Sequence, residues 1–326
     1  MKKVLIAILL LGLLPHASAD YIHWVDFRLS APVLRSALEL DMASQGGEQP
    51  LDWIDILALA AAWRGGTGVT VADTQRAAQA LRGDTPPERL PGMAGRFFSY
   101  YRAAYGAALG GLVGHFAIRR TDPQTDEAEW IPAYGLKAFS PIAAGYPWSH
   151  YPDFGAQRSY GYARPHLGND ILGALGTPIC AVEGGTVEAL GWNRYGGWRI
   201  GIRSDDRKRY YYYAHLRKDT PYAEGLAVGQ RVQAGDVIGF MGRTGYSAQK
   251  NVNNIETVHL HFGLQLIFDE SQKECDSEIW IDVYPIIELL ASHCSSVARD
   301  PQTGRWERLY PYCDLDAEPL RSAAAR

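Results

Sequence analysis

Four histidines and one aspartate between residues 166 and 261 are the side chains of this sequence best suited to bind a metal ion. Zinc binds neutral imidazole and carboxylate groups, and a catalytic zinc keeps three protein ligands and an open position for water. Two of the histidines and the aspartate supply that number. The remaining imidazoles can then move a proton or stabilise an oxyanion. This set of residues predicts zinc-dependent hydrolysis of an amide bond. The five residues are His166, Asp170, His215, His259 and His261.

Two of these histidines belong to a segment with the pattern of a β-strand. Residues 257–264 alternate along the chain, so His259 and His261 are expected on one face and the apolar residues between them on the other, towards a core. A pair of imidazoles is thereby held side by side on a stiff element.

The other three residues need a second strand and a loop. Residues 210–216 contain four consecutive tyrosines and predict a strand that ends at His215. Two of these tyrosines are expected to face inward, with partners for their hydroxyl groups. His166 and Asp170 lie among glycines and a proline, which predict a loop.

Short glycine-rich motifs connect these pieces in a fixed order. They are His166-x-Gly168-x-Asp170, Gly176-Thr177-Pro178-Ile179, Gly184-Gly185-Thr186-Val187, Tyr195-Gly196-Gly197, Tyr213-Ala214-His215-Leu216, Gly242-x-Thr244-Gly245 and His259-x-His261-Phe262. From about residue 159 to residue 266 the chain resembles the catalytic domain of the lysostaphin-like (LytM-type) zinc endopeptidases, which cut peptide bonds in bacterial peptidoglycan.

The resemblance implies a secreted zinc metalloendopeptidase that acts on peptidoglycan peptides. One Zn²⁺ ion would be bound by His166, Asp170 and His261. His215 and His259 would be catalytic, one as general base and the other as a hydrogen-bond donor to the transition state, and the assignment between them stays open. The alternative is an inactive domain of the same type that binds the wall or activates other hydrolases. Any regulatory partner is unknown.

The sequence departs from the family pattern at two places. Residues 246–258 intervene between the Thr-Gly turn and the His-x-His pair, where family members have a shorter segment, and Gly263 stands where a polar residue is common. The run from Gly229 to Gly239 also resembles lipoyl-type carrier domains. Such a carrier needs a lysine at a hairpin tip, and no lysine has that position.

Residues 1–19 predict a secretory signal peptide. Lys2 and Lys3 precede an apolar run that is too short for a membrane span, and Ala17-Ser18-Ala19 is a cleavage site. Cleavage after Ala19 delivers a protein without stable membrane insertion to the periplasm or the exterior. The loss of two lysines takes the formal charge from −4 to −6, so nucleic acid is not an expected partner.

The predicted fold class is α+β. After the signal peptide, residues 20–114 predict a helical domain, in which the aromatic side chains of the last helix are interpreted as core and not as a sugar-binding surface. Residues 115–158 predict an irregular connector. Residues 159–270 form the predicted zinc peptidase domain, mainly antiparallel β and of open barrel or sandwich type. Residues 271–326 predict a helix near 281–292 followed by a loosely structured tail.

Individual residues outside the predicted site were assigned structural roles. Cys180 is expected in the core. Cys275, Cys294 and Cys313 cluster in the tail, where a Cys294–Cys313 disulfide is favoured. His150 is interpreted as a surface histidine in preference to a ligand of a second metal.

Overall fold

The computed structural model describes residues 21–121, 124–125, 127–273 and 277–317. The expected signal peptide, Cys275 and residues 318–326 lie outside these ranges. The helices are α1 (Ala31–Ser44), α2 (Trp53–Arg64), α3 (Val71–Leu81), α4 (Met93–Leu109) and α5 (Tyr284–Leu290). The strands are β1 (Val113–Thr121), β2 (Ala128–Leu136), β3 (Trp148–His150), β4 (Gln157–Arg158), β5 (Arg164–Pro165), β6 (Asn169–Gly173), β7 (Pro178–Cys180), β8 (Gly185–Asn193), β9 (Gly197–Ser204), β10 (Arg209–Ala214), β11 (Arg231–Val232), β12 (Val237–Phe240), β13 (His259–Leu266), β14 (Ile279–Ile281), β15 (Val297–Arg299), β16 (Trp306–Arg308) and β17 (Tyr312–Asp314).

Residues 20–114, which were predicted to be helical, contain α1 to α4, and local capping explains where two of these helices begin. Asp52 accepts the Ile54 N–H at the start of α2. Thr70 and Asp73 form a reciprocal capping box at the start of α3. α2 is alanine-rich and buried along most of its length, where it packs against α4. The aromatic side chains of α4 are mostly in the core, as predicted. No helix in the described part of the chain has the length and apolar character needed to cross a membrane.

The main sheet carries the predicted site. Its strands pair antiparallel in the order β11-β8-β9-β10-β13-β6-β3, and β14 pairs with the far end of β13. The mixed helical and antiparallel character agrees with the predicted α+β class. Tyr211 and Tyr213 of β10 are buried in the core, as the alternation predicts, but Tyr210 on the opposite face of the strand is buried as well. The Tyr211 hydroxyl donates to Glu183, and the Tyr213 hydroxyl accepts the Val182 N–H.

A buried arginine connects the sheet to the helices. The guanidinium of Arg209 donates to both carboxylate oxygens of Glu183, at 2.7 and 3.1 Å. It also donates to the carbonyl of Ala107 in the last turn of α4, at 2.7 Å. Because Arg209 is 1% exposed, these hydrogen bonds form away from water. The apolar side chains of the helices and of the sheet belong to one connected core.

The segment predicted as an irregular connector, 115–158, proved to be partly regular. β1 and β2 form a long antiparallel hairpin, and the tail strand β17 pairs with the other edge of β1, with Ala117 opposite Cys313. Pro132 is tolerated because β2 is an edge strand. The prediction of a loosely structured tail was also wrong, because β17 in the tail pairs with β1, a strand about 200 residues earlier.

The favoured Cys294–Cys313 disulfide is not formed. The Cys294 thiol is free and donates to the carbonyl of Ala291. Cys313 is buried within β17, where the strand pairing with β1 determines its position. Cys180 is fully buried in β7, as predicted.

Candidate metal centre

β13 is the strand around which the site is built. It begins at His259, and Leu260 and Phe262 are buried on its core side. The antiparallel register with β6 places Asp170 directly opposite His261. The register with β10 on the other side places Ala214 opposite His261, so His215 follows at the same end of the sheet. The predicted strand is confirmed.

His166 reaches the same place from the loop between β5 and β6. Its backbone N–H donates to the carbonyl of Ala156, and its own carbonyl accepts the Gly155 N–H. The adjoining Gly168 is required by space: a Cβ there would lie 2.7 Å from Cε1 of His261. Asp170 itself lies in β6, so the predicted loop ends before it and the aspartate has the rigidity of a strand.

Three ligand atoms converge. Nε2 of His166 lies 2.8 Å from Nδ1 of His261 and 3.0 Å from Oδ1 of Asp170. Nδ1 of His261 lies 3.2 Å from the same Oδ1. In a tetrahedral zinc site with bonds of about 2.0–2.1 Å, ligand atoms are about 3.3 Å apart. The two imidazoles and the carboxylate are therefore a group that could hold a metal ion, with atoms slightly closer together than in an occupied zinc site.

The two remaining histidines lie beside this group. The ring centroids of His215 and His259 are 4.7 Å apart. Nδ1 of His215 is 2.9 Å from the carbonyl of Thr244, and Nδ1 of His259 is 2.9 Å from the carbonyl of Thr257. Since a carbonyl can only accept, each Nδ1 carries a hydrogen, which in the neutral rings leaves Nε2 as the proton acceptor. His259 directs this atom to within 3.7 Å of Oδ1 of Asp170.

The charges of the site favour a bound cation. Burial alone would raise the pKa of Asp170, but hydrogen bonds from His166 and His261 hold this pKa well below its usual range. Burial lowers the pKa of His261 and, much more strongly, that of His215. Burial would also lower the pKa of His166, but Asp153 and Asp170 reverse this and raise it. A metal ion would take the place of the His166 proton beside an ionised Asp170.

Asp153 and Arg158 lie around the ligands, and no motif of the sequence predicted a role for either residue. Oδ2 of Asp153 is 3.1 Å from Nδ1 of His166, the ring nitrogen that faces away from the other ligands. Nη2 of Arg158 lies 3.0 Å from Oδ2 of Asp153 and 3.0 Å from Oδ2 of Asp170. Carboxylates that hold the outer nitrogen of a histidine ligand fix its tautomer and its orientation. Asp153 precedes His166 by 13 residues, a spacing typical of no motif.

The interpretation of His150 as a surface histidine was wrong. Its side chain is 5% exposed, with Nδ1 2.6 Å from Oδ1 of Asn169 and Nε2 2.9 Å from Oε1 of Glu288. The Asn169 amide donates in turn to Oδ1 of Asp153. His150 is therefore the outer member of a polar network that reaches the metal ligands, and it binds helix α5 to that network.

A cavity of about 300 Å³ opens beside the three ligands. Tyr195, at the turn between β8 and β9, lines it, together with Tyr212 and Trp280. The aromatic segment 191–198 therefore closes the β8–β9 hairpin and also contributes to the cavity wall.

The longer segment 246–258 contributes one side chain, Tyr246, to the wall of the same cavity. The ring of Tyr246 lines the cavity and stacks on Tyr160 with centroids 4.7 Å apart. Asn251 accepts a hydrogen bond from Nε1 of Trp198 at 2.8 Å. The segment thus adds to the cavity wall and leaves the ligands in place.

Comparison with known proteins locates similarity in the same part of the chain. Residues 164–274 match the model of peptidase family M23. The L-Ala–D-Glu endopeptidase of Bacillus subtilis is 40% identical over 130 residues, which are 40% of this chain and 38% of that protein. Lysostaphin of Staphylococcus simulans is 37% identical over 98 residues, which are 30% of this chain and 17% of that protein. The chain therefore matches well under half the length of these relatives.

A solved structure also aligns with most of the chain. It is a putative glycyl-glycine endopeptidase LytM from Ruminococcus gnavus, which is 24% identical with a TM-score of 0.48 and covers 82% of this chain and 91% of its own. The resemblance noted from the motifs of the sequence is confirmed by the family match and the identities to curated relatives. This chain therefore carries a domain of peptidase family M23, which is similar in sequence to the L-Ala–D-Glu endopeptidase and to lysostaphin.

Proposed function

We propose that this protein is a secreted zinc metalloendopeptidase that hydrolyses peptide bonds in bacterial peptidoglycan. The observation that supports this most directly is the convergence of His166, Asp170 and His261 within hydrogen-bonding distance of one another, with two further imidazoles beside them. The proposed ligands are these three residues. The proposed catalytic residues are His215 and His259.

The residues around the site suit amide hydrolysis. Zinc bound by the three ligands would polarise the scissile carbonyl and lower the pKa of a water molecule. Burial keeps the pKa of His215 low, so its ring is neutral at neutral pH, and its Nε2 can accept a proton. His259 has the same tautomer, with Nε2 directed towards Asp170. Each ring can act as a base through Nε2, and either can donate from Nε2 to the developing oxyanion only after that atom has gained a proton. Which of the two histidines is the base and which the donor stays open.

The substrate class follows from the relatives. The name of the Bacillus subtilis relative specifies an L-Ala–D-Glu bond, and the name of a relative from Vibrio cholerae specifies peptidoglycan. The open cavity beside the ligands can accept an extended peptide between aromatic walls. Peptidoglycan lies outside the cytoplasm, and the pattern of residues 1–19 supports delivery to the periplasm or beyond.

The test is digestion of purified peptidoglycan with the purified protein. We expect soluble peptide fragments, identified by mass spectrometry, that disappear with a zinc chelator and return when zinc is added. Zinc-loaded protein that binds peptidoglycan but releases no fragment would overturn the proposal in favour of a wall-binding domain.

A further inference from the structure

The cavity beside the metal group is more cationic than the protein as a whole. Four cationic side chains line it against two carboxylates, although the chain carries a formal charge of −4. Two of the cations are neutralised locally, since Arg158 pairs with Asp153 and Asp170, and Lys273 pairs with Glu188. The other two are Arg164 and Arg199.

Arg199 has the less satisfied guanidinium of these two. No carboxylate of the described residues lies within ion-pairing distance of it, and its Nε is enclosed by protein without a hydrogen-bond acceptor. Buried donors normally have a partner, so such a group calls for an explanation. Arg164 instead donates to the carbonyl of Tyr160 and lies 4.6 Å from the ring centroid of Tyr195.

Arg199 also lies close to the reacting centre. It projects from β9, and its Cζ is 6.0 Å from the ring centroid of Tyr212 on the neighbouring strand β10. The ring of Tyr212 is in turn 5.8 Å from that of His261 on β13. Only one aromatic ring therefore separates the guanidinium from a proposed zinc ligand. An extended peptide advances at most about 3.6 Å per residue, so a group bound at Arg199 belongs to a residue close to the scissile bond.

The surroundings of the Arg199 guanidinium favour binding of an anion. A guanidinium that is half-buried, with one N–H enclosed and no counter-ion, is stabilised most by a carboxylate, whose planar shape matches its donors. Arg199 lines the same open cavity as His166, Asp170 and His261, so a peptide carboxylate bound there can reach it. Neutral peptides such as oligoglycine carry no group that neutralises the charge.

We propose that Arg199 is a specificity-determining residue that binds a free carboxylate on the substrate within about three residues of the bond that is cut. The substrate is then an acidic peptide, and a peptide amidated at that carboxylate is cut less well. This inference rests on the proposed peptidase function and adds to it the chemical class of the substrate.

The experiment compares matched peptides. The fragments from the peptidoglycan digest define the bond cut, and synthetic peptides spanning it are made with each nearby carboxylate free or converted to its carboxamide. For wild-type protein we expect kcat/KM about 10–100-fold higher for the free acid at one position, the size of a lost charge-assisted hydrogen bond. In Arg199→Gln this preference should shrink to less than about threefold, chiefly because kcat/KM for the free-acid peptide falls. Arg199→Lys should retain part of it.

Arg164→Gln is the matched control, because it removes the other unpaired cation of the cavity. It should retain the preference for the acid. Equal cleavage of acid and amide by wild-type protein, or an unchanged preference in Arg199→Gln, would overturn the role of Arg199 while leaving the peptidase function intact. If Arg199→Gln keeps a normal zinc content but loses cleavage of the acid and of the amide peptide equally, Arg199 has a structural role. Failure of zinc-loaded wild-type protein to cut any of the peptides or peptidoglycan would instead reject the proposed function.

Discussion

Three of the four histidines of the site have a hydrogen-bond partner at the ring nitrogen that faces away from the centre. Nδ1 of His166 faces Asp153, and Nδ1 of His215 and of His259 face backbone carbonyls. Each ring thereby keeps one tautomer and one orientation, with its other nitrogen directed to the centre. Such preorganisation means that little reordering is needed when a metal or a substrate binds.

The first prediction separates ligands from catalytic residues. His261→Ala removes one of three proposed ligands and should weaken zinc binding by more than about 100-fold, beyond the loss expected for an outer hydrogen-bond partner. His215→Ala should keep its zinc and lose turnover by about 10²–10⁴-fold, as for a general acid–base group. Zinc affinity, measured by competition with a chromogenic chelator, and kcat, measured on the same samples, test this division between ligands and catalytic residues. Equal loss of zinc in both variants would contradict it.

A second prediction concerns the carboxylate that the sequence did not reveal. Asp153→Asn keeps the shape of the side chain but removes the charge beside His166. We expect zinc affinity to fall about 10–100-fold with little change in the fold. Glu48→Gln, an exposed carboxylate in the loop after α1, is the control and should bind zinc as wild type does. An unchanged affinity in Asp153→Asn would show that the backbone carbonyl of Asp153, 3.1 Å from the same nitrogen, is sufficient.

At the scale of elements, helices and strands that depend on neighbouring residues can be predicted from the sequence better than those that depend on a distant strand. α3 lies within residues 20–114, which were predicted to be helical, because the period of 3.6 is a local property of the chain. β13 followed from its alternation in the same way. The β1–β2 hairpin was missed because it is completed by β17, whose sequence lies far away and shows no distinctive pattern.

The third prediction uses the cap of α3. Burial alone would raise the pKa of Asp73, but hydrogen bonds from Arg64 and Thr70 hold it below its usual value. The ionised carboxylate therefore stabilises the fold above the unfolded-state pKa of about 3.9, and this contribution is lost as the pH falls through the lower folded-state value. Asp73→Asn should lower the free energy of unfolding by about 1 kcal/mol at pH 7. Urea unfolding should show the difference shrinking below about pH 4.

Asp84→Asn is the control for this experiment. Asp84 is exposed just beyond the end of α3, so its replacement should leave the urea midpoint unchanged at each pH. A difference between wild type and Asp73→Asn that is constant down to the most acidic pH would show that the charge of Asp73 does not stabilise the helix.

At the scale of the molecule, the helices and the sheet form one connected core, and Arg209 is its main polar connection. The guanidinium satisfies Glu183 of the sheet region and the last carbonyls of α4 together. Gly111 is required at this junction, because a Cβ there would lie 1.6 Å from Oε1 of Glu183. The division at residue 114 remains a prediction, since apolar contacts continue across it.

The fourth prediction tests this connection. Arg209→Met leaves Glu183 buried without its cation and should lower the free energy of unfolding by about 3–5 kcal/mol. Adding Glu183→Leu removes the unpaired charge, so the double variant should recover part of that loss. Urea unfolding measures both. Arg207→Met, which breaks an exposed ion pair with Glu270, is the control and should leave the midpoint nearly unchanged. A single variant as stable as the control would show that apolar packing alone holds the helices.

The sequence by itself determined the residue types of the site and the elements that carry them, because side-chain chemistry, strand alternation and helix caps are properties of residues close together in the chain. It was sufficient to name His166, Asp170, His215, His259 and His261. Only the tertiary structure decided that Asp170 lies opposite His261, that Asp153 holds His166 and that Arg199 lies beside the cavity with no counter-ion among the described residues. These facts depend on strand register and on contacts across tens of residues, which are set when the whole chain packs.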